Sequence, residues 1–441
     1  MIGIIGGGLA GLSAAYYLQQ KGYQVRIFEG EKELGGLAAS YDTEGDSIEK
    51  FYHHLSKSEE TIVELAEELG IGDKVEWKIG KNAYYIDGEI FPLDTPWEIL
   101  RYPHLTIYDK IRLTLLTLGI DARGIFPRIG AYQNLEEFEH TPVEDFVREH
   151  TTNNIFDKFV TPLLEAKFGG HKHRVSAAWL LGRIKFRGQR DFLKGEVLGY
   201  INGGFVELID TLIGEIGQEN IITGAFVEEI IVENGRVESM VIDTKNGKMR
   251  ENVDAVIVAT MPSVLENLTG YECPIQFQGA VCALMSYSEK ITETYWLNIS
   301  DKSRFGAIIE HTNFIDPRRY GGEHLTYMVS YIQDFEESIW KMTDKEIEEY
   351  WIKGIEELIP GFDRQKINWF KVSRNPLTAP IYEMGYVDKI VPYDISEEVG
   401  EGIYYAGMAS RSQYPERSLN GAIEAGYACA SLIVKRGESS I

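Results

Sequence analysis

The chain has 441 residues, enough for about three structural units at roughly 150 residues each. A composition of 44% hydrophobic and 25% charged residues is that of a globular protein and excludes a disordered, collagen-like or coiled-coil chain. A formal charge of −24 argues against nucleic acid or anionic lipid as a partner of the molecule as a whole. In chain order, residues 1–5 form a short apolar run, and Gly6-Gly7-Gly8-Leu9-Ala10-Gly11 follows at once. Residues 12–21 predict a helix, and residues 25–28 a second strand ending at Glu29. This is strand, glycine turn, helix, strand and acid, the context in which G-x-G-x-x-G binds a dinucleotide. Gly6 serves the tight turn, Gly8 the approach of a pyrophosphate, and Gly11 the close packing of helix on strand. The helix N-terminus offers N–H groups to the pyrophosphate, and Glu29 accepts from ribose hydroxyls. Gly35-Gly36 lets the backbone pass close to a second part of a long cofactor.

Residues 59–69 predict an amphipathic helix, and residues 84–90 a hairpin turning at Asp87-Gly88. Residues 96–190 read as mostly helical. Within them, residues 106–120 are unusually apolar, with a spacing that fits a buried core helix or a helix lying on a membrane surface. Residues 100–128 carry five basic and two acidic side chains. Residues 166–190 carry Lys167, Lys172, Arg174, Arg183, Lys185, Arg187 and Arg190 and no acid. On so acidic a chain these stretches suggest a site for an anionic small molecule.

Gly203-Gly204-Phe205 leads into a helix over 206–216. Residues 221–232 and 236–242 form a hairpin around Asn234-Gly235, and a buried strand over 253–259 ends at Thr260-Met261-Pro262. Dense aromatic and β-branched residues over 280–335 predict a sheet, and residues 344–359 an acidic surface helix. Residues 402–407 read as a strand ending in glycine. A helix of small residues runs over 418–430, with Ser418 or Asn420 as its cap. The three cysteines, Cys273, Cys282 and Cys429, have no metal-site spacing, so no metal is expected and a reduced, cytoplasmic-type compartment fits. No apolar run reaches the roughly 20 residues that span a bilayer, and no basic segment precedes the first strand, so neither a membrane span nor a signal peptide is expected.

The fingerprint, Glu29, the run Gly35-Gly36-Leu37-Ala38 and the C-terminal return through Gly407 together resemble the large FAD family of flavin amine oxidases, protoporphyrinogen oxidases, phytoene desaturases and UDP-galactopyranose mutases. The resemblance implies an α/β fold. A Rossmann-type, glutathione-reductase-like FAD-binding domain would comprise residues 1–80, 195–268 and 372–441. An inserted mixed α+β substrate domain would comprise 81–194, mostly helical, and 269–371. It implies FAD held by Gly6, Gly8, Leu9, Ala10, Gly11, Glu29, Gly30, Gly35, Gly36, Leu37, Ala38, Val227, Thr260, Gly407, Met408, Ser418, Leu419, Asn420, Gly421 and Ala422. The last helix would point its N-terminus at the flavin pyrimidine, where the reduced ring carries negative charge. No cysteine stands where covalently flavinylated members carry one, so the FAD would be non-covalent.

His53 and His54 stand where the mutases bring a histidine-rich segment against the flavin, and Lys167 lies in a segment similar to one of theirs. These three are the candidates for catalysis. Arg183, Arg187, Arg374, Tyr382, Arg411, Tyr414 and Arg417 are the candidates for binding an anionic substrate. The resemblance implies an oxidoreductase that moves a hydride from a C–N or C–C bond to flavin N5. The alternative is a non-redox mutase acting on a nucleotide sugar through reduced FAD. The protein is expected to be cytoplasmic, with possible peripheral membrane contact through 100–128.

Overall fold

Short runs in which most side chains are buried, among them Ile2–Ile5, Ala255–Val258 and Ile403–Tyr405, are the signature of strands covered on both faces. In the computed structural model, which describes residues 1–186, 188, 190–191 and 193–438, they build a five-stranded parallel sheet. Its spatial order is Ile221–Thr223, Val25–Glu29, Ile2–Ile5, Ala255–Val258 and Ile403–Tyr405. The order reverses at Ile2–Ile5, whose neighbours lie to either side of it, and a ligand crevice opens at the carboxyl end of such a strand. Helix Leu9–Gln20 starts there and packs against Leu419–Glu438. The contact is close because small residues face each other: a Cβ on Gly426 would meet the Ala10 carbonyl oxygen at 2.3 Å.

A second sheet has seven strands in the order Ile367–Pro380, Phe277–Tyr287, His324–Ile332, Ala307–Glu310, Trp296–Ile299, Asn82–Ile86 and Glu89–Pro92. All its pairs are antiparallel except Trp296–Ile299 with Asn82–Ile86. Phe277–Tyr287 shows the two-residue period of a strand between two cores. Cys282 and Leu284 pack toward the parallel sheet, while Val281, Ala283 and Met285 pack under helix Asp344–Leu358 with Trp351 and Ile355. Both Asp87-Gly88 and Asn234-Gly235 make the expected hairpin turns with positive φ at each residue.

Four expectations need correction. The strand over 221–232 is two strands: the chain bends at Gly224 (φ +61°), so that Ile221–Thr223 joins the parallel sheet and Ala225–Glu233 the hairpin. Residues 372–380 belong to a strand of the seven-stranded sheet, not to the parallel one. The last helix runs on to Glu438. Finally, helix Ile107–Thr117 is not a core helix. Only Asp109, Leu113 and Leu116 are buried, and Ile107, Tyr108 and Ile111 face outward beside the exposed Leu118. The Thr106/Asp109 capping box fixes where this helix starts, but no described residue covers the apolar face of Ile107, Tyr108 and Ile111. Among the described residues no helix is long and apolar enough to cross a membrane.

Candidate active site

The crevice at the switch point opens into a cavity of about 540 Å³. At one end are the glycines. Gly6 has φ +108°, a conformation that L side chains rarely adopt, and a Cβ there would meet the Ala259 carbonyl oxygen at 2.6 Å. A Cβ on Gly11 would meet the Gly6 carbonyl oxygen at 2.0 Å, so this glycine serves packing and does not line the cavity. Gly8 differs from both. Nothing lies closer to its Cβ position than 4.0 Å, and the space it leaves open belongs to the cavity.

Gly35 joins this end through its N–H, which donates to the Gly7 carbonyl at 2.9 Å, and Gly36, Leu37 and Ala38 continue the wall. The Glu29 carboxylate is oriented by the N–H groups of Gly7 (2.6 Å) and Glu31 (2.9 Å), and it still faces the cavity. Thr260 Oγ1, in the opposite wall, is buried and has no hydrogen-bond partner among the described residues. An open glycine cradle, an oriented carboxylate and an unsatisfied hydroxyl fit the pyrophosphate and ribose of a dinucleotide. Leu9, Ala10, Gly407, Met408, Ser418, Leu419 and Ala422 complete this wall from the two helix starts and the turn after Ile403–Tyr405.

At the other end, His53 and His54 line the cavity. His53 Nδ1 bonds the Phe51 carbonyl at 2.7 Å, which turns Nε2 into an acceptor. Burial, followed by the nearby Arg417 charge, pulls the ring down to about 3, so it is neutral near pH 7. His54 Nδ1 bonds the Tyr295 hydroxyl at 3.0 Å.

Beside them Glu416 gathers a charge cluster. It pairs with Lys167, accepts Trp179 Nε1 at 2.9 Å, and meets Arg183 at 3.3 Å. Gly182 makes this possible, because a Cβ there would meet Pro415 Cγ at 2.3 Å and hold the Glu416 segment away from helix Ala177–Phe186. Lys167 and Arg183 also lie over the Trp179 ring, at 5.2 and 5.8 Å from its centroid. Burial alone raises the Glu416 carboxyl; the Lys167 and Arg183 charges outweigh it and hold Glu416 ionised. Burial pulls the Lys167 ammonium down while Glu416 holds it up, so Lys167 acts in a cluster and not as a lone amine. Arg417 lines this cavity and a narrow pocket next to it formed by Tyr52, Tyr331 and Thr378.

Several candidates lie elsewhere. Arg374 is held by Asp344 and the Met342 carbonyl, and Arg411 by Glu136. The Tyr382 hydroxyl donates to the Gln413 carbonyl at 2.8 Å, and that of Tyr414 to Glu139 at 2.6 Å. None of the four lines the cavity. Asn420 points away from it, accepting the Ile62 N–H at 2.9 Å and donating to Glu424 at 2.8 Å. Gly421 packs against Ser412, a Cβ on Gly30 would meet the Phe226 ring at 3.3 Å, and neither of them nor Val227 lines the cavity. Arg187 lies outside the described residues. The sequence reading missed Glu59, Glu416, Tyr52, Tyr331 and Trp296, all in the cavity wall. Glu416 and Tyr52 had a signal, their places next to Arg417 and His53.

A switch-point cavity with a glycine cradle at one end and a polar cluster at the other defines a dinucleotide-cofactor protein. Residues 9–434 match the flavin-containing amine oxidoreductases, and the chain belongs to that family. Membership of that family supports a flavin-dependent oxidoreductase. Among similar proteins, the 15-cis-phytoene desaturase of Glycine max is 23% identical over 99% of this chain and 79% of its own length. The mitochondrial protoporphyrinogen oxidase of Nicotiana tabacum is 24% identical over 40% of this chain; the match spans 34% of that protein. A reduced UDP-galactopyranose mutase shares the fold, with a TM-score of 0.71 over 98% of this chain and 95% of its own, at 16% identity.

Proposed function

We propose that this protein binds FAD without a covalent link and oxidises an amphiphilic organic anion, taking a hydride from a C–N or C–C bond. One observation carries the reading: a single cavity runs from the Gly8 cradle to Lys167, Arg183 and Arg417, where three cations face one carboxylate. Leu163, Ala166, Trp296 and Val329 supply the apolar part of the same wall. Bound flavin supplies the two-electron acceptor. The chain's own groups do the rest. The cations fix the anionic end of the substrate, the apolar wall excludes water, and neutral His53 accepts a hydrogen bond through Nε2.

A second reading, the nucleotide-sugar mutase that needs reduced FAD, is favoured by the two histidines in the wall. An anaerobic visible spectrum during titration separates the two. Bleaching of the flavin band by an amine, a porphyrinogen or a polyprenoid supports oxidation. Turnover of a nucleotide sugar only after dithionite supports the mutase.

We also propose a lipid surface as a partner of residues 100–128, with the exposed Trp97 and Ile129 at its edges. Trp97 (65% exposed), Leu100, Ile107, Tyr108, Ile111, Leu118, Ile125 (94% exposed), Phe126 and Ile129 face solvent. Lys110 ties the two helices of this stretch by donating to the Leu100 carbonyl at 2.7 Å. Such a patch, flanked by Arg101, Lys110 and Arg128 on an acidic protein, suits an anionic membrane interface. Changing Trp97, Ile125 and Phe126 together to Ser is expected to cut co-sedimentation with anionic phospholipid vesicles by about tenfold or more at unchanged flavin content. A native protein that stays in the supernatant refutes the assignment. A reducing, cytoplasmic-type compartment fits free Cys273, Cys282 and Cys429.

A further inference from the structure

The three cations at the far end of the cavity are not in the same state. Lys167 pairs with Glu416 Oε1, and Arg183 meets Glu416 Oε2 at 3.3 Å, so one carboxylate serves two cations. Arg417 is the next residue in the chain. Among the described residues its guanidinium makes no ion pair and no hydrogen bond. It therefore presents a permanent charge and a planar fork of N–H donors with nothing to receive them.

Arg417, Tyr52 and Tyr331 line both the main cavity and the small pocket beside it. That pocket has a volume of about 10 Å³, room for one water-sized group. The Tyr52 and Tyr331 hydroxyls lie 2.9 Å apart. One of their two hydrogens is used between them, and the other has no acceptor among the described residues. Thr378 adds no donor, because its hydroxyl donates to the Asn375 carbonyl at 2.9 Å. No acid is among the described residues of the small pocket's wall. An unpaired cation and an unused O–H thus meet at a space the size of one oxygen atom.

We propose that Arg417 and the Tyr52–Tyr331 pair seat a substrate carboxylate, with one oxygen in the small pocket and the other in the main cavity. The inference rests on the anionic-substrate reading and narrows its class to carboxylic acids. A carboxylate is planar, has two oxygens and one charge, and matches the guanidinium fork. A phosphate ester brings three terminal oxygens and nearly two charges. The pocket takes one oxygen, and the other two cations already share Glu416. The carbon chain of the substrate then runs along Leu163, Ala166 and Val329 in the main cavity.

The test is binding of three probes, hexanoate, hexyl phosphate and hexanol, by the purified flavin-containing protein at pH 7.5 and fixed ionic strength. Binding is read from the visible flavin spectrum and from thermal unfolding. Hexanoate is expected to bind about tenfold or more tighter than either of the others. Arg417→Gln is expected to weaken hexanoate about tenfold or more at native flavin content, because a charged hydrogen bond is lost. Replacing both hydroxyls, Tyr52→Phe with Tyr331→Phe, should cost about threefold or more, and Arg183→Gln less than Arg417→Gln. Should Arg417→Gln not fold, the double tyrosine variant decides. Tighter binding of hexyl phosphate, unchanged hexanoate affinity in Arg417→Gln or in the double variant, a larger loss in Arg183→Gln, or an Arg417→Gln protein that folds without flavin overturns the proposal. Binding of neither anion overturns the anionic-substrate reading as well, and a native preparation with no flavin band overturns the FAD reading.

Discussion

Gly8→Val is expected to give a folded chain that purifies with less than about a tenth of the native flavin content. The backbone at Gly8, φ −80° and ψ 179°, is one that any residue adopts, so valine brings no strain there. Its Cβ would meet no protein atom closer than 4.0 Å, so the fold loses little. The side chain instead fills the opening in front of helix Leu9–Gln20, where a pyrophosphate must come close to the backbone N–H groups. Gly11→Val is the contrasting case. Its Cβ would meet the Gly6 carbonyl oxygen at 2.0 Å, so the helix must move and stability must fall. Flavin absorbance per chain and thermal unfolding of the flavin-free proteins, measured side by side, distinguish a ligand glycine from a packing glycine. A yellow Gly8→Val protein with native stoichiometry would remove the cradle from Gly8.

That contrast also marks what could be read from the chain alone. The first forty residues were legible because each requirement there is local. A tight turn, a close approach, a packed helix and an acid one strand later are written within a single strand–helix–strand unit. The return at Ile403–Tyr405 and the last helix were legible for the same reason. The far end of the cavity was not, because its partners come from distant segments. Arg374, Arg411 and Tyr414 have the right chemistry for an anion, but Asp344, Glu136 and Glu139 take them, and nothing near them in sequence announces those acids. Glu59 reads as one more acid at the start of an amphipathic helix, although its buried side chain lines the cavity. Residues 106–120 show the limit of periodicity. Helical spacing of apolar residues correctly gives the helix, but it does not say whether the other side of the apolar face is protein.

Glu416→Ala is expected to destabilise the folded protein by about 3–5 kcal/mol, the cost typical of breaking a buried ion pair by removing one partner. The Glu416 and Lys167 side chains are only 12% and 10% exposed, so water does little to screen the charge left behind. Trp179 Nε1, on a fully buried ring, loses its acceptor in the same change. Glu416→Gln should cost less, because an amide oxygen can still accept from Trp179 while Lys167 and Arg183 lose only the charge. Both variants leave the cluster with no acid among its members, and an anion of the substrate's class then has more to neutralise. Adding an organic carboxylate or phosphate ester should therefore stabilise Glu416→Gln more than the native protein, by mass action on the folded state. Thermal unfolding with and without the added anion, at fixed ionic strength, measures both effects. Equal stabilisation of the two proteins would mean that the cluster serves the fold alone, and the anionic end of the substrate would have to be sought elsewhere in the cavity.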